Sequence, residues 1–166
     1  MPVSLRQASC LPALVVEEQS FFERRVMTTP DLHWDDRYSV AVQLIDEQHQ
    51  KLFADLNTLI HLLNTRVELS EVESVVDDLI DYVGYHFSTE EKLLAKHPHY
   101  AAHRLRHQEF TEKVRSFDRQ LLLDKPEQTA ISLFIFLGEW LQNHIQTEDR
   151  LYFDYLHRHK LLPTAE

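Results

Sequence analysis

The sequence predicts an all-α fold, and three observations lead to this prediction. Only two glycines and six prolines occur in 166 residues, and residues that favour helices, such as Leu, Glu and Gln, are abundant. Apolar residues recur at three- and four-residue steps along four long stretches. Short connections separate these stretches, so we expect an up-down-up-down antiparallel four-helix bundle with an N-terminal arm and a short C-terminal helix.

The first two helices are predicted from their apolar faces. The first extends from about Ala41, and its inward face consists of Ile45, His49, Leu52, Phe53, Leu56, Ile60 and Leu63. The second is predicted to begin at Ser70, which forms a capping-box pattern with Glu73, and to end before Pro98. Its inward face consists of Val72, Val76, Leu79, Val83, His86, Phe87, Glu90 and Leu94. Both faces therefore direct polar side chains towards the core.

The third and fourth helices follow the same pattern. The third is predicted from about Tyr100 to an interruption at residues 124–126, and its inward face consists of His103, His107, Phe110, Val114, Phe117 and Leu121. The inward face of the fourth consists of Ile131, Phe134, Leu137, Trp140, Leu141, His144 and Ile145. A short fifth helix from Arg150 to His159 is expected to pack on the end of the bundle.

Charge and composition restrict the possible binding partners and the cellular location of the protein. The 17 basic and 27 acidic residues give a formal net charge of −10, which repels nucleic acid and anionic membrane surfaces. Cys10 is the only cysteine, and neither a transmembrane run nor a normal secretory signal is present, so a cytoplasmic location is expected. A monomer is a separate expectation. We divide the chain into a poorly ordered extension, residues 1–30, and a bundle domain, residues 31–160. A natural start at Met27 is an alternative explanation of the extension.

Seven groups predict a two-metal site. They are five histidines and two carboxylates from four helices: His49, His86, Glu90, His103, His107, His144 and Asp149. Neutral imidazole is a good ligand for first-row transition metals, and a carboxylate can bridge two of them. Residues four apart on a helix differ by about 40° in direction, so His86 with Glu90, and His103 with His107, each direct two donors to one point.

Asp149 does not follow the regular helical spacing, and two further glutamates lie next to predicted ligands. Asp149 follows His144 by five residues, which is about 140° on a regular helix, so it reaches the same site only if the helix ends or distorts between them. The alternative is that Asp149 only caps the next helix. Glu91 and Glu148 are each adjacent to a predicted ligand. We expect both to point away from the site and to be dispensable for it.

The ligand pattern resembles the hemerythrin family in its bacterial form. The segments that carry the resemblance are Ile45-Asp46-Glu47-Gln48-His49, His86-Phe87-Ser88-Thr89-Glu90-Glu91, His103 with His107, and Trp140-Leu141-Gln142-Asn143-His144-Ile145 followed by Asp149. The resemblance covers residues 31 to about 155 and includes Trp34 in the predicted arm. All seven ligand positions of the family are occupied in order.

The resemblance implies a metal centre and a function. The centre would contain two non-haem iron ions, one held by His103, His107 and His144, the other by His49 and His86, with Glu90, Asp149 and an oxo or hydroxo group as bridges. The two-histidine iron would keep an open position where dioxygen binds reversibly. The implied function is oxygen storage, or delivery to an oxygen-requiring enzyme, without catalysis. The alternative is a sensor or scavenger of oxygen, nitric oxide or peroxide that uses the same centre.

Other di-metal and hydrolytic classes lack their signatures here. Ferritin-like oxidases use Glu-x-x-His pairs, and no histidine in this chain has a glutamate three residues before it. Zinc peptidases need His-Glu-x-x-His, and phosphohydrolases of the His-Asp type need adjacent histidine and aspartate; neither pattern occurs. An imidazole-rich shell also lacks the hard oxygen donors that stabilise higher-valent iron, which favours reversible gas binding over substrate oxidation.

Overall fold

The structure, a computed structural model, describes residues 31–65, 69–116 and 125–163. Within these ranges the chain is an all-α four-helix bundle, as predicted. The long helices are α1 (Gln43–Asn64), α2 (Leu69–Leu94), α3 (Tyr100–Arg115) and α4 (Pro126–His144). A five-residue π-helical segment, Ile145–Asp149, follows α4 directly and leads into α5 (Arg150–Arg158). A short 3-10 turn, Asp36–Tyr38, lies in the arm before α1.

The helix starts differ slightly from the predicted ones. The first helix begins two residues after Ala41, because Ala41 has a φ of 57°, which lies outside the helical region for an L-residue. The second begins at Leu69, so Ser70 lies inside the helix instead of capping it. At the other end of the chain, α5 stops one residue before the predicted His159.

Several predictions concern parts of the chain outside the described residues. These are the continuation of the third helix through Phe117 and Leu121 and the extension at residues 1–30, with Cys10 and Met27. Among the residues that the structure does describe, none of the helices has both the length and the apolar character needed to cross a membrane.

The arm fixes the start of α1 and thereby the position of its histidine. The backbone N–H of Val40 donates to the carboxylate of Asp46 at 2.8 Å. Further back, Leu32 N donates to Asn57 Oδ1 at 2.8 Å, and Asn57 Nδ2 donates to Leu32 O at 2.9 Å. Because Asp46 precedes His49 by three residues, these bonds fix the helical turn from which His49 projects inward.

Two apolar clusters enclose a polar layer. The larger cluster is built from all four long helices. The smaller one, at the α5 end of the bundle, consists of Val40, Ile45, Leu94, Tyr152, Phe153 and Leu156. In α1, His49 lies between Ile45 of the smaller cluster and Leu52 of the larger one, and Glu90 occupies the corresponding place in α2. The predicted ligands therefore lie between two close-packed regions that hold them in place.

Candidate metal centre

The structure brings the seven predicted side chains into one buried layer. Each of these residues is at most 3% exposed to solvent: His49, His86, Glu90, His103, His107, His144 and Asp149. They come from all four long helices and from the π-helical segment. Burial of so many polar groups is costly unless they are paired with one another or hold a cation.

Three histidines of α3 and α4 converge on both carboxylates. His103 Nε2 lies 3.5 Å from Glu90 Oε2 and 3.4 Å from Asp149 Oδ1. His107 Nε2 lies 3.3 Å from the same glutamate oxygen, and His144 Nε2 lies 2.9 Å from the same aspartate oxygen. One donor atom from each of these five residues lies within 4.8 Å of all the others. We call His103, His107 and His144 the three-histidine group.

His49 and His86 form a two-histidine group beside the same carboxylates. His49 Nε2 lies 3.5 Å from Asp149 Oδ2, which is not the oxygen that contacts the three-histidine group. His86 Nε2 lies 3.9 Å from Glu90 Oε2, and the ring centroids of His49 and His86 are 4.7 Å apart. Asp149 thus directs one oxygen to each group, which is the arrangement of a carboxylate that bridges two metal ions.

The π-helical segment brings Asp149 to the layer. This segment begins directly after His144 and ends at Asp149. Hydrogen bonds in a π-helix join residues five apart, so the wider turn places these two residues on one face. The distortion that the spacing required is therefore present. The helix continues from Asp149 into α5 and the Asp149 side chain makes no capping hydrogen bond, so the helix-cap alternative is wrong.

Aromatic side chains fix two ring planes in the three-histidine group. Phe87 stacks on His107 with 3.8 Å between ring centroids and 2° between ring planes. Trp140 stacks on His144 with 4.1 Å between ring centroids and 15° between ring planes. Because stacked rings resist rotation about their side-chain torsions, the Nε2 atoms stay directed at the carboxylates.

Many polar atoms of the layer have no hydrogen-bond partner within the described ranges. They include both ring nitrogens of His49 and His103 and both carboxylate oxygens of Glu90 and Asp149. A buried polar atom without a partner costs about 1–3 kcal/mol, and a charged one costs more, so such atoms rarely gather in one place. A cation between them would satisfy them together. Imidazole nitrogen combined with carboxylate oxygen suits iron as well as zinc, copper and nickel.

The charge states of the layer also suit a cation. Burial lowers the pKa of His49 and lowers the pKa of His86 to about 4, so both imidazoles are neutral at pH 7. Burial alone would raise the pKa of Glu90, but its contacts with His103 and His107 outweigh burial and hold that pKa well below the ordinary value. Neutral imidazole and ionised carboxylate are the forms that bind metal.

These pKa shifts predict that the metal-free protein loses stability in acid. The imidazole of His86 has a pKa of 6.5 in the unfolded chain and about 4 in the folded chain. Its contribution to stability is therefore present above pH 6.5 and is lost as the pH falls from 6.5 to about 4. For His86 alone the loss is on the order of 3 kcal/mol. Urea unfolding of the metal-free protein at several pH values in this range measures it. A urea midpoint that does not fall with pH would contradict the buried neutral imidazole.

Two side chains contact predicted ligand histidines at Nδ1, the ring nitrogen that faces away from Glu90 and Asp149. Glu91 Oε1 lies 3.1 Å from His107 Nδ1, and Gln48 Oε1 lies 3.1 Å from His86 Nδ1. A carboxylate or amide oxygen only accepts hydrogen bonds, so Nδ1 carries the hydrogen in both rings and donates it. This tautomer leaves each Nε2 lone pair free for a metal ion.

Glu148 takes a similar position beside the three-histidine group. Its Oε2 lies 3.9 Å from His103 Nδ1 and 4.0 Å from His144 Nδ1. The expectation that Glu91 and Glu148 point away from the site is therefore wrong for the orientation of their carboxylates. Each carboxylate approaches an outer ring nitrogen of a predicted ligand histidine.

The fold and the layer define a class of protein, the cation-binding four-helix bundle, and comparison with known proteins shows the family. The model of the hemerythrin HHE cation binding domain matches residues 40–156. A bacteriohemerythrin of Stenotrophomonas maltophilia is 33% identical over 130 residues, which are 77% of this chain and 83% of that protein. A bacteriohemerythrin of Clostridium acetobutylicum is 29% identical over 126 residues, 73% of this chain and 98% of that protein. The chain belongs to the hemerythrin family.

Proposed function

We propose that this chain holds one iron ion at the three-histidine group and a second at the two-histidine group, and that it binds dioxygen reversibly. The observation that carries the proposal is the position of Asp149, whose two oxygens contact histidines of opposite groups. The names of the bacteriohemerythrin relatives and the cation-binding description of the matched family support it.

In this proposal the five Nε2 atoms and the two carboxylates are the protein ligands. Asp149 and Glu90 bridge the two positions, and their negative charges offset part of the charge of two cations. A pair of ferrous ions, when bound, would supply the electrons that dioxygen takes up on binding and would recover them when dioxygen is released. The chain itself holds the imidazoles of His49 and His86 neutral, fixes the rings of His107 and His144 by stacking, and buries the layer away from water.

Unequal numbers of histidines favour ligand binding at one position. Three imidazoles and two bridging carboxylates surround the first position more completely than two imidazoles and the same bridges surround the second. A position with fewer protein ligands keeps room for a small molecule. We therefore propose that dioxygen binds at the two-histidine group, beside His49 and His86.

A narrow apolar cavity next to the layer suits this ligand. It is lined by Leu52, Leu56, Leu79, Val83, Phe87, Phe110, Leu137, Trp140 and Leu141. Four of these lining residues, Leu52, Val83, Phe110 and Leu141, are each three positions from a ligand histidine, so the cavity begins one helical turn from the layer. The walls of this cavity are almost entirely apolar, and such walls disfavour water and protons, which would otherwise promote irreversible oxidation of the centre.

The physiological role is a further part of the proposal. A carrier or store that delivers dioxygen to an oxygen-requiring enzyme is the leading form, with the protein itself not an enzyme. A sensor or scavenger of oxygen, nitric oxide or peroxide that uses the same residues is the alternative. The cytoplasmic location and the monomeric state belong to this proposal and rest on the sequence alone.

Repeated oxygenation separates a carrier from an oxidase. The iron-loaded protein is cycled between dioxygen and argon while its visible absorption is recorded. We expect an absorption band that appears in dioxygen, disappears in argon and recovers its full amplitude over many cycles. Progressive loss of the band, with consumption of dioxygen, would indicate oxidase chemistry instead. A spectrum that does not respond to dioxygen would contradict the proposed function.

A further inference from the structure

The two histidine groups differ at their outer ring nitrogens. In the three-histidine group, Glu91 contacts His107 Nδ1 and Glu148 lies near the Nδ1 atoms of the other two rings. In the two-histidine group, His86 contacts the neutral amide of Gln48. His49 Nδ1 and His103 Nδ1 both have no hydrogen-bond partner among the residues that the structure describes, but Glu148 lies 3.9 Å from His103 Nδ1. The three-histidine group therefore has two carboxylates within 4.0 Å of its Nδ1 atoms, whereas no carboxylate of the described residues forms an ion pair at Nδ1 of His49 or His86.

The two outer carboxylates are held in place by side chains of α3. Glu91 Oε2 accepts a hydrogen bond from Tyr100 Oη at 3.2 Å, and Arg104 Nε lies 3.6 Å from the same oxygen. Arg106 Nε lies 3.6 Å from Glu148 Oε1. Each carboxylate thus has one oxygen directed at ligand rings and the other directed at a basic or hydroxyl group. The contacts with Tyr100, Arg104 and Arg106 therefore keep the other oxygen of each carboxylate directed at the Nδ1 atoms of the histidines.

A carboxylate at Nδ1 changes how strongly an imidazole binds a metal. When the Nδ1 hydrogen is attracted by a negative charge, electron density shifts towards Nε2 and the ring becomes a more basic ligand. An amide oxygen fixes the tautomer but supplies no net charge. Partners of this kind typically change metal affinity by about 10–100-fold. Rings that have carboxylates at the outer nitrogen should therefore bind metal more tightly than rings that have an amide or no partner.

From this asymmetry we infer that Glu91 and Glu148 are positioning residues that make the three-histidine group the tighter of the two metal positions, so that it fills first. The two-histidine group then fills second and more weakly. This inference rests on the proposed function, because it requires that both groups hold a metal ion. It adds to the proposed function the order in which the two metal positions fill and the two glutamates that determine this order.

Stepwise titration with Co²⁺ tests the inference, because Co²⁺ binds to imidazole and carboxylate ligands and its absorption reports their geometry. We expect two steps in the wild-type protein, the first one tighter. Glu91→Gln and Glu148→Gln keep the shape and remove the charge, and both side chains are partly exposed, at 22% and 31%, so the fold should be retained. Glu91→Gln is expected to weaken the first step by about tenfold or more, and Glu148→Gln, whose carboxylate acts over 3.9–4.0 Å, to weaken it by a smaller factor. Each should change the second step by less than about threefold.

The matched control is Glu112→Gln. Glu112 is exposed on α3 and lines the same surface groove as Glu91, but it is not among the residues that contact a ligand ring. Both titration steps should keep their wild-type affinities in this variant. If Glu91→Gln and Glu112→Gln weaken both titration steps to the same extent, the effect comes from the loss of any negative charge. That result would overturn the inference.

The reverse substitution is a second, independent test. Gln48→Glu places a carboxylate at His86 Nδ1 and should tighten the second step, so that the two affinities approach each other. Two unequal steps that do not respond to Glu91→Gln, Glu148→Gln or Gln48→Glu would contradict the inference and leave the two-metal site intact. A wild-type protein that takes up only one Co²⁺ would instead contradict the proposed function itself.

Discussion

Removal of the metal is expected to lower the melting temperature by at least about 15 °C. The metal-free layer contains buried carboxylate and imidazole atoms that have no hydrogen-bond partner in the described part of the chain, and such atoms are costly in the folded state but solvated in the unfolded chain. A metal ion present at a thousand times its Kd stabilises the folded state by about 4 kcal/mol for each site. Since one kcal/mol shifts the melting temperature of a domain of this size by about 2–4 °C, two such sites account for the expected difference.

Thermal unfolding of the loaded protein and of the chelated protein measures this difference. His103→Ala removes a ligand from the three-histidine group and should show a smaller gap between the two states, together with the loss of at least one metal ion. Equal melting temperatures for loaded and chelated wild-type protein would contradict a buried metal layer.

Replacement of either bridging carboxylate by its amide should weaken metal binding by at least about tenfold. Asp149→Asn and Glu90→Gln preserve side-chain volume but remove a negative charge that contacts histidines of both groups. The metal-free Asp149→Asn variant should behave in the opposite way. A neutral amide is less costly to bury than a carboxylate whose oxygens have no hydrogen-bond partner among the described residues, so this variant should melt no lower than the metal-free wild type.

Metal content and melting temperature are measured for both variants, with Asp154→Asn as the control. Asp154 lies on the exposed face of α5, five residues after Asp149, and carries the same charge. Wild-type metal affinity in Asp149→Asn would show that Asp149 is not a bridge. A metal-free Asp149→Asn that melts well below the metal-free wild type would show that the carboxylate stabilises the fold by itself.

The fold and the inward ligands were accessible from the sequence because both depend on the same helical period. Apolar residues at three- and four-residue steps determine which face of a helix is buried, and His49, His86, His103 and His107 lie on those faces. Asp149 does not fit the period of a regular helix. The sequence could predict only that Asp149 reaches the layer if the helix distorts after His144. The π-helical segment is that distortion.

The partners of the outer ring nitrogens were not predicted, because they depend on contacts between helices. Spacing along one helix shows which donors share a direction, but Glu91 of α2 contacts His107 of α3, and Gln48 of α1 contacts His86 of α2. A signal was nevertheless present. Each partner is the sequence neighbour of a ligand: Gln48 precedes His49, Glu91 follows Glu90, and Glu148 precedes Asp149. The residue next to a predicted ligand points about 100° away from it around the helix axis and so faces an adjacent helix. There it contacts the outer nitrogen of another predicted ligand ring.

The most direct test of the two-metal site is an anomalous difference map, measured at the iron absorption edge from crystals of the iron-loaded protein. Two peaks are predicted for each chain. One should lie among the Nε2 atoms of His103, His107 and His144, the other beside those of His49 and His86, with Asp149 between them. A single peak, or a peak outside this buried layer, would contradict the account.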